Sequence, residues 1–353
     1  MSALAFELEP DLEAHEPPEA RGLARDGVRL LAARRSSGEI SHHTFSDLPD
    51  LLDPGDVLVI NVSATIPAAV PARRRGRGRG RGDGHGGRVR VHFATRAPHL
   101  EDDWRVVEIR SADGSRPARL AVGERLELRG GGQLELIAPY ASGQRLMLAR
   151  LCCELLVDEY LERHGEPIRY GHVTRPWPLE AYQNVYAISP GSAEMPSAGR
   201  PFTRQLISRL IGRDVVIAPI TLHAGVSSPE SHEPPFPEWF EVPERTAKQI
   251  RAARYDGRKV IAVGTTVVRA LESAAAADDC ACARSGWTGL VVTPECGVRT
   301  VDGMITGWHE PEASHLMMLE AVAGSELLAR SYEAALENGY LWHEFGDSHL
   351  ILP

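Results

Sequence analysis

Two hydrophobic periods share this chain, and their order restricts the fold more than any other feature. Val57-Leu58-Val59-Ile60 is an unbroken apolar run after the turn signal Pro54-Gly55, and reads as a strand buried on both faces. Val28-Arg29-Leu30-Leu31-Ala32-Ala33 reads as an earlier strand. From residue 89 to about 148 the pattern becomes polar–apolar alternation, at 89–93, 104–109, 125–128 and 133–137, punctuated by Asp113-Gly114 and Gly130-Gly131-Gly132. That middle segment predicts a small antiparallel barrel or sandwich. Beyond Cys152, helices are predicted at 203–212, 243–255, 266–277, 314–323 and 325–338, the last with Ser325 as its cap. They alternate with strands near 215–222, 259–263, 289–293 and 304–306. Such alternation predicts an α/β layer with a largely parallel sheet or barrel. Apolar strands lie on both sides of the β-rich segment, so it reads as an insertion at 63–151 into an α/β domain formed by 1–62 and 152–353.

Composition narrows the class. With 353 residues, 43% hydrophobic and 25% charged, the chain predicts a folded protein of about two domains. The net charge of −9 excludes a globally basic nucleic-acid binder but leaves room for a local basic patch. Arg73-Arg74-Arg75-Gly76-Arg77-Gly78-Arg79-Gly80-Arg81 opens a glycine-alternating tract over 73–88 that predicts a flexible basic loop. No apolar run is long enough for a membrane span, and the acidic first residues do not resemble a secretory signal, so a cytoplasmic location is expected. Cys152, Cys153, Cys280, Cys282 and Cys296 are odd in number and lack the paired spacing of a zinc site, so neither a disulfide framework nor a metal is expected.

In parallel sheets, ligands gather at the carboxyl ends of strands. There the predicted strands deliver Asn61 and Ser63, His223 and Gly225, Gly264-Thr265-Thr266, and Trp308-His309. A glycine turn opening a helix exposes backbone N–H groups that attract an anion. The same residues also suit a plain strand end, a helix cap and hydrogen-bonded wall histidines, and Arg269 with Glu272 suits a surface ion pair. Unaided, the residues imply an α/β enzyme with an anionic ligand at 264–266.

The motifs add a resemblance. Phe45-Ser46-Asp47-Leu48-Pro49, Tyr182-Gln183-Asn184-Val185-Tyr186, Pro196-Ser197-Ala198-Gly199 with Phe202-Thr203, and Thr221-Leu222-His223 occur in this order. Val263-Gly264-Thr265-Thr266 with Arg269 and Glu272, Val301-Asp302-Gly303, His309 with Pro311, and Phe345-Gly346-Asp347 follow. In order and spacing the chain resembles the S-adenosylmethionine:tRNA ribosyltransferase-isomerase family of queuosine biosynthesis. It departs from that family's pattern at Pro201, Phe236, Pro237, Gly307 and His349.

The resemblance implies a barrel-like α/β main domain with an inserted small antiparallel β-barrel. It implies transfer and isomerisation of the ribosyl moiety of S-adenosylmethionine onto a 7-aminomethyl-7-deazaguanine base in tRNA, with adenine and methionine released. S-adenosylmethionine is then a co-substrate, and no bound cofactor or metal is needed. The partner is tRNA, and the chain is expected to work as a monomer. His223, His309, Glu272 and Asp302 become candidates for the proton transfers. Gly264, Thr265, Thr266, Arg269, Asn61 and Thr203 become candidates for substrate binding, and Arg73, Arg74, Arg75, Arg77, Arg79 and Arg81 for RNA. A divergent enzyme using S-adenosylmethionine on another acceptor, and a noncatalytic RNA-binding relative, remain as alternatives.

Overall fold

Successive residues of a strand face opposite ways, so a fully apolar strand must feed two cores. In the computed structural model, which describes residues 6–75, 87–118, 120–140, 145–226, 236–275, 279–311 and 313–353, the run at 57–60 does this. Val57 and Val59 join one core, packed under the helices Glu244–Tyr255, Thr265–Ser273, His315–Ala323 and Ser325–Glu337. Leu58 and Ile60 join the other, with Phe45, Phe202, Leu206 and Leu210.

The strands in chain order are β1 (Arg29–Arg34), β2 (Glu39–Thr44), β3 (Val57–Asn61), β4 (Ser63–Thr65), β5 (Ala69–Arg74) and β6 (Arg88–Arg96). They continue with β7 (Trp104–Ser111), β8 (Arg125–Leu128), β9 (Gln133–Pro139), β10 (Leu146–Cys152), β11 (Ser189–Ser192) and β12 (Val216–Leu222). The last are β13 (Glu238–Val242), β14 (Val260–Val263), β15 (Arg284–Thr288), β16 (Gly303–Gly307) and β17 (Ser348–Leu352). A nine-stranded sheet runs β15-β13-β12-β3-β14-β16-β17-β1-β2. Its centre, β12-β3-β14-β16, is parallel throughout. Strand β17 enters antiparallel to β16, β13 antiparallel to β12, and β15 antiparallel to β13. Of the sheet or barrel that the residues left open, the α/β layer takes the sheet, with β15 and β2 as its two edges and antiparallel strands flanking the parallel centre on both sides.

The alternating segment closes into a six-stranded antiparallel barrel, β10-β7-β6-β5-β8-β9, around Val70, Val91, Val107, Leu126, Leu134 and Ala149. Strands β4 and β11 pair in parallel as a separate ribbon, with Ser63 opposite Ser189 and Thr65 opposite Ser192.

Two local expectations change. Arg73 and Arg74 do not belong to a flexible loop. They end β5, where Arg73 pairs with Arg88 across the hairpin and Arg74 meets Glu124 at 2.9 Å. Residues 289–293 form no strand; β15 lies just before them, with its Trp287 opposite Trp239 of β13. Val292 is nonetheless buried in the core, which accounts for its apolar character.

Candidate active site

The parallel centre of the sheet brings the carboxyl ends of β12, β3, β14 and β16 to one rim. His223 follows β12, Asn61 ends β3, Gly264 follows β14 and His309 follows β16. Gly264 has a φ of 92°, a left-handed conformation that a side chain resists, and it starts the helix Thr265–Ser273. Asn61 is buried and holds the rim together. Its amide nitrogen donates to the Leu222 carbonyl at 2.8 Å and to Thr266 Oγ1 at 3.2 Å, and its oxygen accepts from the Leu222 and Ser63 N–H groups.

His223 sits where this rim meets the barrel. Its Nδ1 lies 2.8 Å from Ser63 Oγ, which lies 2.7 Å from Ser192 Oγ, which accepts the Ala224 N–H at 2.9 Å. The Trp239 ring stacks on the imidazole, with centroids 5.3 Å apart. Burial, then the nearby Arg96 guanidinium, lowers the His223 pKa to about 4, against a small opposing pull from Asp158. The ring is therefore neutral at pH 7. Just past it, Val226 packs into the barrel core with Ala193 and Phe236. Gly191 backs the ring: a Cβ there would lie 2.6 Å from it, at a φ of 154°. Gly191→Ala is expected to displace the imidazole and lower turnover roughly 100-fold, with the far-ultraviolet circular dichroism retained. A variant as active as the parent would show that the ring position is not constrained there.

Arg269 is turned inward. Its guanidinium pairs with Glu238 and donates to the Leu290 and Thr288 carbonyls at 3.1 Å each, and the residue is buried. The other Glu238 oxygen accepts the Gly225 N–H at 2.7 Å, so this ion pair anchors the loop carrying His223. Removing one partner leaves the other charged and buried. Arg269→Ala is thus expected to cost about 3–5 kcal/mol in urea unfolding; a loss below about 1 kcal/mol would contradict the burial.

His309 Nε2 lies 2.9 Å from Thr306 Oγ1, and the His315 ring stacks on it at 4.8 Å. Burial pushes its pKa well below the usual histidine value, with the neighbouring His315, His343 and His349 acting the same way. His349 stacks on Trp308 at 4.8 Å, with both ring nitrogens buried and without a hydrogen-bond partner among the described residues. Pro201, Gly307 and Ser348 line a narrow pocket on the other face of the sheet, with Ser197, Ala198 and Asp347, where Val28 and Ala198 belong to the core of Phe45 and Phe202.

The sequence candidates do not all meet. Glu272 lies eight residues past Gly264, about 12 Å down its helix. It accepts the Arg299 and Thr300 N–H groups at 2.9 and 2.8 Å and the Thr300 hydroxyl at 2.6 Å. Asp302 accepts the Val260 N–H at 2.8 Å, at the amino end of β14. Both carboxylates therefore stand at the opposite edge of the sheet from His223 and Gly264, and fasten backbone. Thr203 caps the helix Arg204–Gly212 by accepting the Leu206 N–H at 3.0 Å, and donates to Asp26. Arg73, Arg74 and Arg75 are on the barrel; Arg75 faces Glu127 at 3.5 Å. Arg77, Arg79 and Arg81 lie outside the described residues. Ser192 and Trp239, which the sequence did not single out, are part of the His223 environment. Among the described residues, no three His, Cys, Asp or Glu side chains are grouped to hold a metal ion, and no helix is long and apolar enough to cross a membrane.

Comparison with known proteins extends these observations to the whole chain. A family model described as queuosine biosynthesis protein matches residues 1–351. The S-adenosylmethionine:tRNA ribosyltransferase-isomerase of Moorella thermoacetica is 36% identical over 98% of both chains. That of Symbiobacterium thermophilum is 34% identical over 100% of this chain and 99% of its own. A crystal structure of S-adenosylmethionine tRNA ribosyltransferase from Thermotoga maritima superposes with a TM-score of 0.54 at 27% identity, covering 98% of this chain and 99% of that one.

Proposed function

This chain belongs to the S-adenosylmethionine:tRNA ribosyltransferase-isomerase family, and from that premise we propose that it carries out the family's reaction. It transfers the ribosyl part of S-adenosylmethionine to the aminomethyl group of a 7-deazaguanine base in tRNA. It rearranges the sugar to the epoxycyclopentanediol of epoxyqueuosine and releases adenine and methionine. The observation that carries this reading is the match over nearly the full length, with His223, Gly264 and His309 on one rim.

The chemistry asks for three things: removal of an activated proton beside the sulfonium, stabilisation of developing charge, and help for the departing adenine. Two half-buried imidazoles, His223 and His309, suit roles in the proton transfers and hydrogen bonding that these steps need. The start of the helix Thr265–Ser273, with the Thr265 and Thr266 hydroxyls, suits the methionine carboxylate or an RNA phosphate. Glu272, Asp302, Arg269 and Thr203 support backbone and scaffold. Asn61 acts through Thr266 and the His223 strand. The soluble partners are S-adenosylmethionine and tRNA, and the compartment is the cytoplasm.

The test is direct. The protein is incubated with S-adenosylmethionine and tRNA bearing the aminomethyl-deazaguanine, and free adenine and the mass of the modified base are measured. Adenine release matched by a mass gain on the base is expected. Adenine released with some other acceptor, or RNA binding without turnover, would overturn the reading. The barrel arginines give a second test. Replacing Arg73, Arg74 and Arg75 with alanine is expected to lower the slope of log affinity against log salt for tRNA by roughly one for each phosphate contact removed. An unchanged slope would take this edge of the barrel out of RNA binding.

A further inference from the structure

We propose that Ser192 and Ser63 are positioning residues that fix His223 with its proton on Nε2, so that the ring offers a hydrogen-bond donor, not a base, at the rim where sheet meets barrel. The argument is a count of protons. Ser192 is fully buried, and its Oγ accepts the Ala224 N–H at 2.9 Å. Its one remaining partner among the described residues is Ser63 Oγ, 2.7 Å away, so its hydroxyl proton points there. Ser63 is also buried, and its Oγ has two partners, Ser192 and His223 Nδ1. Having received from Ser192, it donates to Nδ1 across 2.8 Å. A neutral imidazole carries one N–H, and with Nδ1 accepting, that proton is on Nε2. The reverse direction would leave the buried Ser192 hydroxyl with no acceptor.

The backbone holds this order in place. The β4–β11 ribbon, whose register shifts between Pro190 and Ser192, brings Ser192, opposite Thr65, within reach of Ser63, and the Ala224 N–H is fixed because the His223 N–H donates to the Trp239 carbonyl at 3.0 Å. Trp239 stacked on the ring fixes its plane. No side chain among the described residues bonds Nε2, which leaves it for a ligand. In the proposed reaction, on which the chemical meaning of this assignment rests, Nε2–H donates to a substrate atom bearing a lone pair, such as a ring nitrogen of the departing adenine. Removal of the proton beside the sulfonium then falls to another group. A neutral imidazole acting as donor is an established way to polarise a substrate.

The full chain, labelled with nitrogen-15 in its histidine rings, tests this by two-bond proton–nitrogen correlation at pH 7, with the His223 signals identified by their loss in His223→Gln. A bare Nδ1 and a protonated Nε2 are expected in the unsubstituted protein. Ser63→Ala removes the donor to Nδ1 and is expected to shift the ring to a mixture of both tautomers. A proton on Nδ1 in the unsubstituted protein overturns the proposal, as does a folded Ser63→Ala protein whose ring stays wholly in the Nε2–H form. The spectrum of the unsubstituted protein decides the matter even if Ser63→Ala does not fold. It is also independent of turnover, so failure of the proposed reaction and failure of this assignment are told apart.

Discussion

At pH 5 the protein is expected to unfold at a markedly lower urea concentration than at pH 7. The cause is a set of histidines buried in their neutral form. His92 in the barrel and His349 in the large sheet have no exposed surface, and none of their four ring nitrogens has a hydrogen-bond partner among the described residues. Burial, joined at His92 by Arg110, Arg90 and Arg145, lowers both to a pKa of about 3. His223 and His315 are lowered to about 4, again mainly by burial. In the unfolded chain all four return to about 6.5. Between these limits the unfolded state binds more protons than the folded state, so stability falls as pH drops below 6.5 and keeps falling toward the folded values. For each of the two fully buried rings the slope approaches about 1.4 kcal/mol per pH unit. His172 opposes the trend: although burial pulls it down, Glu344 at 2.7 Å and the carboxylates of Glu13 and Glu310 raise it. One such group does not offset the four, to which His309 and His343, also lowered by burial, add. His92→Phe is expected to flatten the pH dependence. Equal urea midpoints at pH 7 and pH 5 would mean that these rings are hydrated or paired in the folded protein.

His223→Ala is expected to lower the rate of adenine release by about 10²- to 10⁴-fold, the range for loss of a positioned proton donor or acceptor. Its effect on stability is expected to be small, about 1 kcal/mol, because the ring is half-buried and makes one side-chain hydrogen bond. The pair of measurements matters more than either alone. Lost turnover with a retained urea midpoint places His223 in the chemistry. Lost turnover together with unfolding would mark it as a wall residue between sheet and barrel. Retained turnover would remove it from the mechanism.

Much of the architecture was legible because burial on two faces leaves a plain mark on sequence. The run at 57–60 and the alternation at 89–137 gave the layer and the inserted barrel. Strands with mixed character were harder. β2 (Glu39–Thr44) is a partly exposed edge strand, and β17 (Ser348–Leu352) hides a histidine among apolar residues. Residues 289–293 misled in the other direction, being apolar because Val292 is buried and Leu290 packs against the same core beside the helix that carries Arg269.

The site was legible only where strand ends announced it. Asn61, His223, Gly264 and His309 each follow or end an apolar run, and such positions meet at one rim once the strands are parallel. Glu272 and Asp302 looked equivalent in the motifs, but spacing along the chain does not say which edge of a sheet a residue reaches. A helix that starts at one rim carries its last turn to the other. Ser63 and Ser192 are 129 residues apart and meet only through the β4–β11 ribbon, so nothing local marked them as partners.

Hydrogen exchange with and without S-adenosylmethionine tests the central claim, that the ligand occupies the rim between sheet and barrel. Slowed exchange is expected in three separate stretches, around His223, around Gly264 to Thr266, and around Thr306 to His309. The segment at 299–302, held by Glu272 on the far edge, is expected to exchange as before. Protection centred on that far edge, with the three rim stretches unchanged, would contradict the account.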